Sequence, residues 1–400
     1  MKTNFLTLGV MALLAGAAWA DSTDTLDARA TSGQVVEITP QSVVVQDGKN
    51  TQTIPRADVA DIVMGQGQDV MTHTSSPVVV TAAGAKLTVA DVDVPGGSAK
   101  ISFVSSLAGG KTLDLSAISR VYFPSANRNL NDIDKICSGL KIPDRAGDFL
   151  ILQRKAGDFW VLDGVMKEIN KESIIFTWEK QDRRIARSSV VQLRLGGAKA
   201  APAGNTVGVM RGVQEGSMIP FTSVSFKDGE FKVGTPDLGE LAVRRSEVAA
   251  IEFISDRVVN LSTLKPSDVK EHGVFDKTFP MQMNRSSGGG PLKLGGETHL
   301  TGLGLHSYCQ VTYDLGGAYN LMVALAGIDD SVRPAGNAKL TILGDGKELD
   351  KPIDVSGKTA PVQLRVKVAG VKQLVIRVDF GTDKLGVGGQ VDLAGARLIK

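Results

Sequence analysis

Side chains able to do chemistry are scarce in this chain. Only four histidines and two cysteines occur among 400 residues. Asp329-Asp330 is a pair of adjacent carboxylates, with His306 and Tyr308 upstream of it. A glycosidase sets two carboxylates across a cleft. Neighbours on a strand point to opposite faces, so Asp329 and Asp330 do not make that pair. Ser286-Ser287-Gly288-Gly289-Gly290-Pro291 is glycine-rich, but it leads into an apolar stretch. A phosphate cradle needs a Gly-Lys-Ser/Thr step that opens a helix. Cys137 and Cys309 stand far apart and no C-x-x-C exists, which removes a Cys/His zinc site. Neither a G-x-S-x-G nor an H-E-x-x-H motif occurs. The expectation is a protein that binds rather than catalyses, with no enzyme activity.

Charge and composition narrow this further. Lys plus Arg is 45 and Asp plus Glu is 43, a net charge of +2. Such a balance offers no basic face to nucleic acid. Apolar residues are 42% and charged residues 22%, a globular composition. At ~100–200 residues per domain the length suits two or three domains.

The elements that must position these side chains begin with a leader. Lys2 supplies a positive start, Phe5 to Ala18 is apolar or small, and Ala18-Trp19-Ala20 precedes Asp21. That is the pattern of a cleaved signal peptide over 1–20. No later stretch is long and apolar enough to span a bilayer. The expected location is secreted or periplasmic. Export permits a Cys137–Cys309 disulfide. The two fall in different expected domains, which favours two buried thiols.

The first half reads as β-rich and duplicated. Val35-Val36-Glu37-Ile38 and Ser42-Val43-Val44-Val45 are β-branched runs divided from the next strand by Gln46-Asp47-Gly48-Lys49. An apolar-x-x-apolar element recurs at Val59, Ile118, Val190 and Val248. Neighbouring copies are 59, 72 and 58 residues apart, whereas alternate copies are 131 and 130 apart. Equal alternates predict two tandem units, 21–124 and 148–257. Between them, 125–147 is a linker with a short helix. Asn131 or Asp132 would cap it, and Ile133, Ile136, Cys137 and Leu140 share one face. The Gly196–Gly204 and Gln66–Ser76 stretches read as connectors. His73 sits in the second of these. Trp160 and Trp178 are expected in the core, and Gln181-Asp182-Arg183-Arg184 in a solvated turn. No chemical constellation lies in this half, which suits spacer or protein-interaction units.

From about Val258 the texture changes. Gln310–Tyr313, Lys339–Leu343, Val362–Val368 and Leu374–Val378 alternate apolar and polar residues. Strands with one buried and one wet face suit an antiparallel two-sheet jelly roll. The fold class is therefore all-β, a C-terminal jelly-roll β-sandwich after small antiparallel β units.

Several motifs here stand in a familiar order. They are Val259-Asn260-Leu261-Ser262-Thr263-Leu264, Gly288 to Gly296, and Gly302-Leu303-Gly304-Leu305-His306-Ser307. Thr312 to Tyr319, Ala326-Gly327-Ile328-Asp329-Asp330, Asp345 to Leu349 and Val391 to Leu398 follow. Together, over 258–400, they resemble the NPCBM family of carbohydrate-binding modules often attached to glycoside hydrolases. The resemblance implies a galactose-binding-like β-sandwich, a secreted sugar-binding role and a glycan or polysaccharide partner. The family often shows a Trp in its final strand motif, where this chain has Val391 next to Asp392.

Sugar modules pair an aromatic platform with polar side chains for hydroxyls. On that ground His306, Asp329 and Asp330 are candidate hydroxyl partners and Tyr308 the candidate platform. Other roles stay open. Asp329-Asp330 caps a turn or holds a structural calcium, the one cofactor considered. His306 is alternatively a buried structural histidine. Tyr313 and Tyr319 are expected in the core, and Phe275, Phe279 and Phe380 in the packing of the sandwich. The functional expectation is a non-catalytic glycan-binding protein. The alternative is an envelope structural or protein–protein interaction protein whose jelly roll reads no sugar.

Overall fold

The computed structural model describes residues 20–27, 29–65, 75–128, 130–143, 147–155, 157–199, 205–214, 216–273, 279–382, 384 and 386–400. All but the last residue of the leader expected over 1–20, His73, Phe275 and most of both glycine- or polar-rich connectors lie outside them. Within them the chain is nearly all strand, with one α-helix, Leu130–Gly139.

The strands from Asp21 to Phe253 join in one 21-stranded antiparallel network. Its regularity comes from four short 3₁₀ turns, Arg56–Asp58, Leu115–Ala117, Arg187–Ser189 and Arg245–Glu247. Each turn runs directly into a strand: Val59–Val63, Ile118–Tyr122, Val190–Arg194 or Val248–Phe253. These strands begin at the four recurring positions of the sequence. Each returns to pair with the strand that opened its own meander, respectively Asp21–Thr25, Val78–Thr81, Asp148–Lys155 and Gly208–Gly212.

The closing strands also pair with one another. Val59–Val63 lies beside Val248–Phe253, and Ile118–Tyr122 beside Val190–Arg194. Strands of 21–124 are thus hydrogen-bonded to strands of 148–257. All five residues of Val59–Val63 are buried, as a strand with a partner on each side and covered faces must be. One core cluster accordingly runs from Val35 to Phe253.

The helix packs on a smaller cluster. Ile133 is fully buried there, with Leu130, Cys137 and Leu140 against it. Because the helix starts at Leu130, Asn131 and Asp132 stand in its first turn rather than at its cap. An acidic Asp132 in that turn complements the helix dipole.

Two expectations for this half are corrected. Gln181-Asp182-Arg183-Arg184 is strand, within Gln181–Ala186. The turn is Glu179-Lys180, where φ is +51° and +63°, the geometry of a two-residue hairpin. Trp160 is 42% exposed rather than core. Leu162, Met166 and Ile169 take the buried positions of its strand, and the Arg154 guanidinium lies 4.3 Å over the exposed indole.

The C-terminal part is a sandwich of two six-stranded sheets. In the first, the long strand Gln390–Ile399 runs between Gly302–His306 and Leu321–Ile328. Val362–Lys367 continues this sheet on the far side of Leu321–Ile328, and Val258–Asn260 pairs with the end of the long strand. The second sheet holds Asp268–Glu271, Cys309–Asp314, Gln373–Phe380 and Asn337–Gly344 in that order. Their inward side chains form a second core, with Tyr313 buried in it and Tyr319 packed against it. Both cysteines are free thiols, Cys309 buried and Cys137 half-buried. No helix of the described residues is long and apolar enough to cross a membrane.

Candidate functional site

Three adjacent strands of the first sheet end together. His306, the last residue of its strand, pairs with Gln390, the first residue of the long strand. The Asp329 N–H donates to the Gln390 carbonyl at 3.0 Å. At ~4.8 Å per strand, the backbones of His306 and Asp329 stand roughly 10 Å apart across Gln390. The sheet end thus carries all four candidate residues, but as two separate groups.

His306 and Tyr308 form the first group. The His306 ring is 8% exposed. Its Nδ1 lies 2.6 Å from the Ser307 carbonyl, so Nδ1 carries the hydrogen and donates. Burial lowers its pKa, and the Ser307 carbonyl only partly offsets this. A neutral imidazole of this tautomer keeps Nε2 as an acceptor. The Phe279 ring stacks on it, with centroids 4.4 Å apart and planes 19° apart. Tyr308 is half-buried and pairs with the His272 ring at 5.2 Å. The His272 N–H donates to the Tyr308 carbonyl at 3.2 Å.

Nothing in the sequence marks His272 as a candidate, and Phe279 stacks on His306 where the sequence reading expects only packing. Both arrive from the chain that follows Asp268–Glu271, the strand paired with Cys309–Asp314. That pairing is long-range, and no local spacing announces it.

Asp329 and Asp330 form the second group with Asp392. Asp329 is 1% exposed. Its Oδ1 accepts from the Ser331 N–H at 2.9 Å and from the Ser331 hydroxyl, capping the turn Asp330–Val332. Its Oδ2 accepts from the Lys293 N–H at 3.4 Å. Asp330 accepts from the Gly295 and Gly296 N–H groups at 3.1 and 2.7 Å. Both carboxylates therefore hold the hairpin Leu292–His299 to the sheet end. Asp392 is wholly buried beside them. Burial, then the neighbouring Asp329, push its carboxyl up to about 10, so it is protonated near neutrality. Of the two local readings, turn cap and calcium, Asp329 performs the first. Among the described residues no group of three or more His, Cys, Asp or Glu is arranged to hold a metal ion.

Residues 257–399 match the family model of the NPCBM/NEW2 domain. A 105-residue stretch is 32% identical to a protein of Renibacterium salmoninarum named "Putative endo-alpha-N-acetylgalactosaminidase". The match covers 25% of this chain and 7% of the length of that relative. Among solved structures, the chain is similar to CBM51 from Clostridium perfringens GH95 in complex with methyl-galactose. Identity there is 21%, over 35% of this chain and 99% of that one, with a TM-score of 0.32. It is also similar to the tandem CBM51 modules of Sp3GH98 from Streptococcus pneumoniae SP3-BS71. That match is 12% identical over 80% of this chain and 87% of that one, with a TM-score of 0.31. The match to the NPCBM/NEW2 family model thus spans the C-terminal sandwich, residues 257–399.

Proposed function

We propose that this chain is an exported, non-catalytic glycan-binding protein. Its C-terminal sandwich reads the sugar at the sheet end around His306 and Tyr308, and its N-terminal β half presents that sandwich. The observation that carries this reading is the match of the whole sandwich to the NPCBM/NEW2 family. The geometry supports it. Two ring pairs, His306 stacked on Phe279 and Tyr308 tilted against His272, offer apolar surface to a pyranose. The Nε2 of a neutral His306, which takes no hydrogen bond from the described residues, offers an acceptor to a hydroxyl. Asp329 and Asp330 serve this site by fixing the adjoining hairpin. Non-catalytic status rests on their engagement: Asp329 and Asp392 are 1% and 0% exposed, out of reach of a glycosidic oxygen.

One observation favours the alternative, an envelope interaction protein whose sandwich reads no sugar. Every carboxylate oxygen of Asp329 and Asp330 is already taken by a protein donor. A glycan array with the chain beginning at Asp21 separates the two. The expected outcome is retention of at least one glycan, weakened tenfold or more by His306→Ala and by Tyr308→Ala. Binding to no glycan, with and without calcium, leaves the alternative. Cell fractionation tests export.

A further inference from the structure

The two halves of the molecule meet far from the sheet end described above. Asp24 stands directly opposite Asp61, and Asp61 directly opposite Glu252, on three adjacent strands. Directly opposed residues share a face, with Cβ atoms ~4.5–5.5 Å apart, and like charges so placed repel. The C-terminal sandwich covers this acidic row with Arg397, which is 2% exposed. Arg397 donates to the Leu26 carbonyl at 3.0 Å and the Thr25 carbonyl at 2.6 Å. Its Nη1 stands 3.7 Å from Asp61. His299 Nδ1 lies 3.5 Å from Asp24, and Arg211 pairs with Glu252.

These groups leave a cavity of about 270 Å³ between the halves. Asp61, Glu252, Arg397, Asn260, Thr301 and Phe253 contribute to its wall. Asp61 is 7% exposed. Its carboxylate accepts no hydrogen bond among the described residues, and Arg397 only approaches it. A buried acceptor and a guanidinium corner thus face one space without satisfying each other. A buried polar group in this condition is costly unless something bonds to it.

The charge pattern selects the occupant. A metal ion would meet the Arg397 guanidinium. An anion would meet Asp61 and Glu252. A neutral molecule with several hydroxyls satisfies both, donating to Asp61 and accepting from Arg397, with Phe253 as its apolar wall. The volume is just below the ~300–1,000 Å³ of drug-sized sites, and domain interfaces are where such sites concentrate.

We propose that this interdomain cavity is a second ligand site, taking a neutral polyol of about one sugar residue. It is distinct from the sheet end. Arg397 is seven residues along the long strand from Gln390, roughly 23 Å at ~3.3 Å per residue. More than half of its lining residues lie outside the NPCBM/NEW2 match, so the proposal does not rest on sugar reading by His306. Because both halves build the wall, occupancy stabilises their docking by mass action.

The test is calorimetric titration of the whole chain from Asp21 at millimolar concentrations. The neutral probes are D-galactose, D-glucose, N-acetylglucosamine and D-mannitol; sodium sulfate and ethylammonium chloride are the charged ones. At least one neutral probe binds. Asp61→Asn and Thr301→Val each weaken that binding tenfold or more, while His306→Ala leaves it within twofold. Both cavity variants keep a cooperative thermal transition, and the near-isosteric Thr301→Val stands even where Asp61→Asn shifts stability. The proposal falls if no neutral probe binds. It falls equally if binding survives both cavity variants but is lost in His306→Ala. An Asp61-dependent response to only a charged probe overturns the neutral assignment.

Discussion

At the scale of single residues, burial decides the chemistry of the sheet end. His306 is held neutral because desolvation opposes its charged form. In the proposed glycan site its Nε2 is then an acceptor across the neutral range, and stops being one when the ring takes a second proton. Glycan affinity should be flat from pH 8 to about 6.5, the ordinary histidine value, and fall only below it. Affinity measured against pH checks this, and loss beginning well above 6.5 would contradict a neutral acceptor. Asp330 has a different part. Its carboxylate holds the exposed Gly295 and Gly296 amides, so Asp330→Ala returns two donors to water at ~0.5–1.5 kcal/mol each. Hydrogen exchange of Leu292–His299 should quicken, with strands of the opposite sheet unaffected. The sequence showed these side chains unevenly. His306 and Tyr308 were legible because they are close in sequence and of useful types. Asp392 was visible only as a departure from the family motif. Nothing local could tell that the fold would bury it beside Asp329 and change its protonation.

At the scale of elements, the strands were legible and their partners were not. Alternation and β-branched runs announce strands because each side of a strand has one environment. The closing strands were found four times because their buried apolar positions repeat. Their mutual pairing joins residues about seventy positions apart in one case and nearly two hundred in the other, which no window of sequence displays. Asp21 shows what holds such distant pieces. It is 0% exposed, accepts from the Val35 and Gly65 N–H groups at 2.7 and 2.8 Å, and meets Arg245 at 2.6 Å. Removing the guanidinium leaves a buried carboxylate with no countercharge, held only by the two N–H groups, so Arg245→Met should lower stability by about 3 kcal/mol, the lower end for a broken buried pair. Denaturant unfolding measures this, and a change under 1 kcal/mol would show that water replaces the guanidinium. Gly164 reports on packing between strands. A Cβ there would stand 1.9 Å from the Thr177 carbonyl oxygen. Gly164→Ala must therefore displace the Ser173–Trp178 strand, at the upper end of the ~1–3 kcal/mol typical of overpacking. A silent Gly164→Ala would mean that this hairpin yields freely.

At the scale of the whole molecule, groups at the junction of the halves (Asp61, His299) and within the sandwich (Asp392) hold protons that the unfolded chain does not. Burial, then Asp24, push Asp61 up to about 7 despite Arg397. Burial and Asp329 push Asp392 up to about 10. Burial pulls His299 down, but Asp24, Asp61 and Glu297 carry it above its ordinary value. An unfolded Asp loses its proton near ~3.9. The folded chain therefore holds an extra proton on Asp61 between about 4 and 7, and on Asp392 between about 4 and 10. Where the folded state binds more protons, stability falls as pH rises. His299 has the same sign: its contribution is full below ~6.5 and is lost as pH climbs through its raised value. His306 opposes them, but only between its lowered value and ~6.5. The melting temperature should therefore fall steadily from pH 6.5 to 8.5. Asp61→Asn should flatten that slope and melt higher than the parent at pH 8, because it relieves the repulsion along Asp24, Asp61 and Glu252. Arg397→Met should do the opposite. It exposes the acidic row and frees the Thr25 and Leu26 carbonyls, and so should split one transition into two as the halves unfold separately. Scanning calorimetry of the three proteins across this range decides the matter. A parent that gains stability toward pH 8.5, or an Asp61→Asn slope equal to the parent's, would remove the acidic row from the account of how the halves are held.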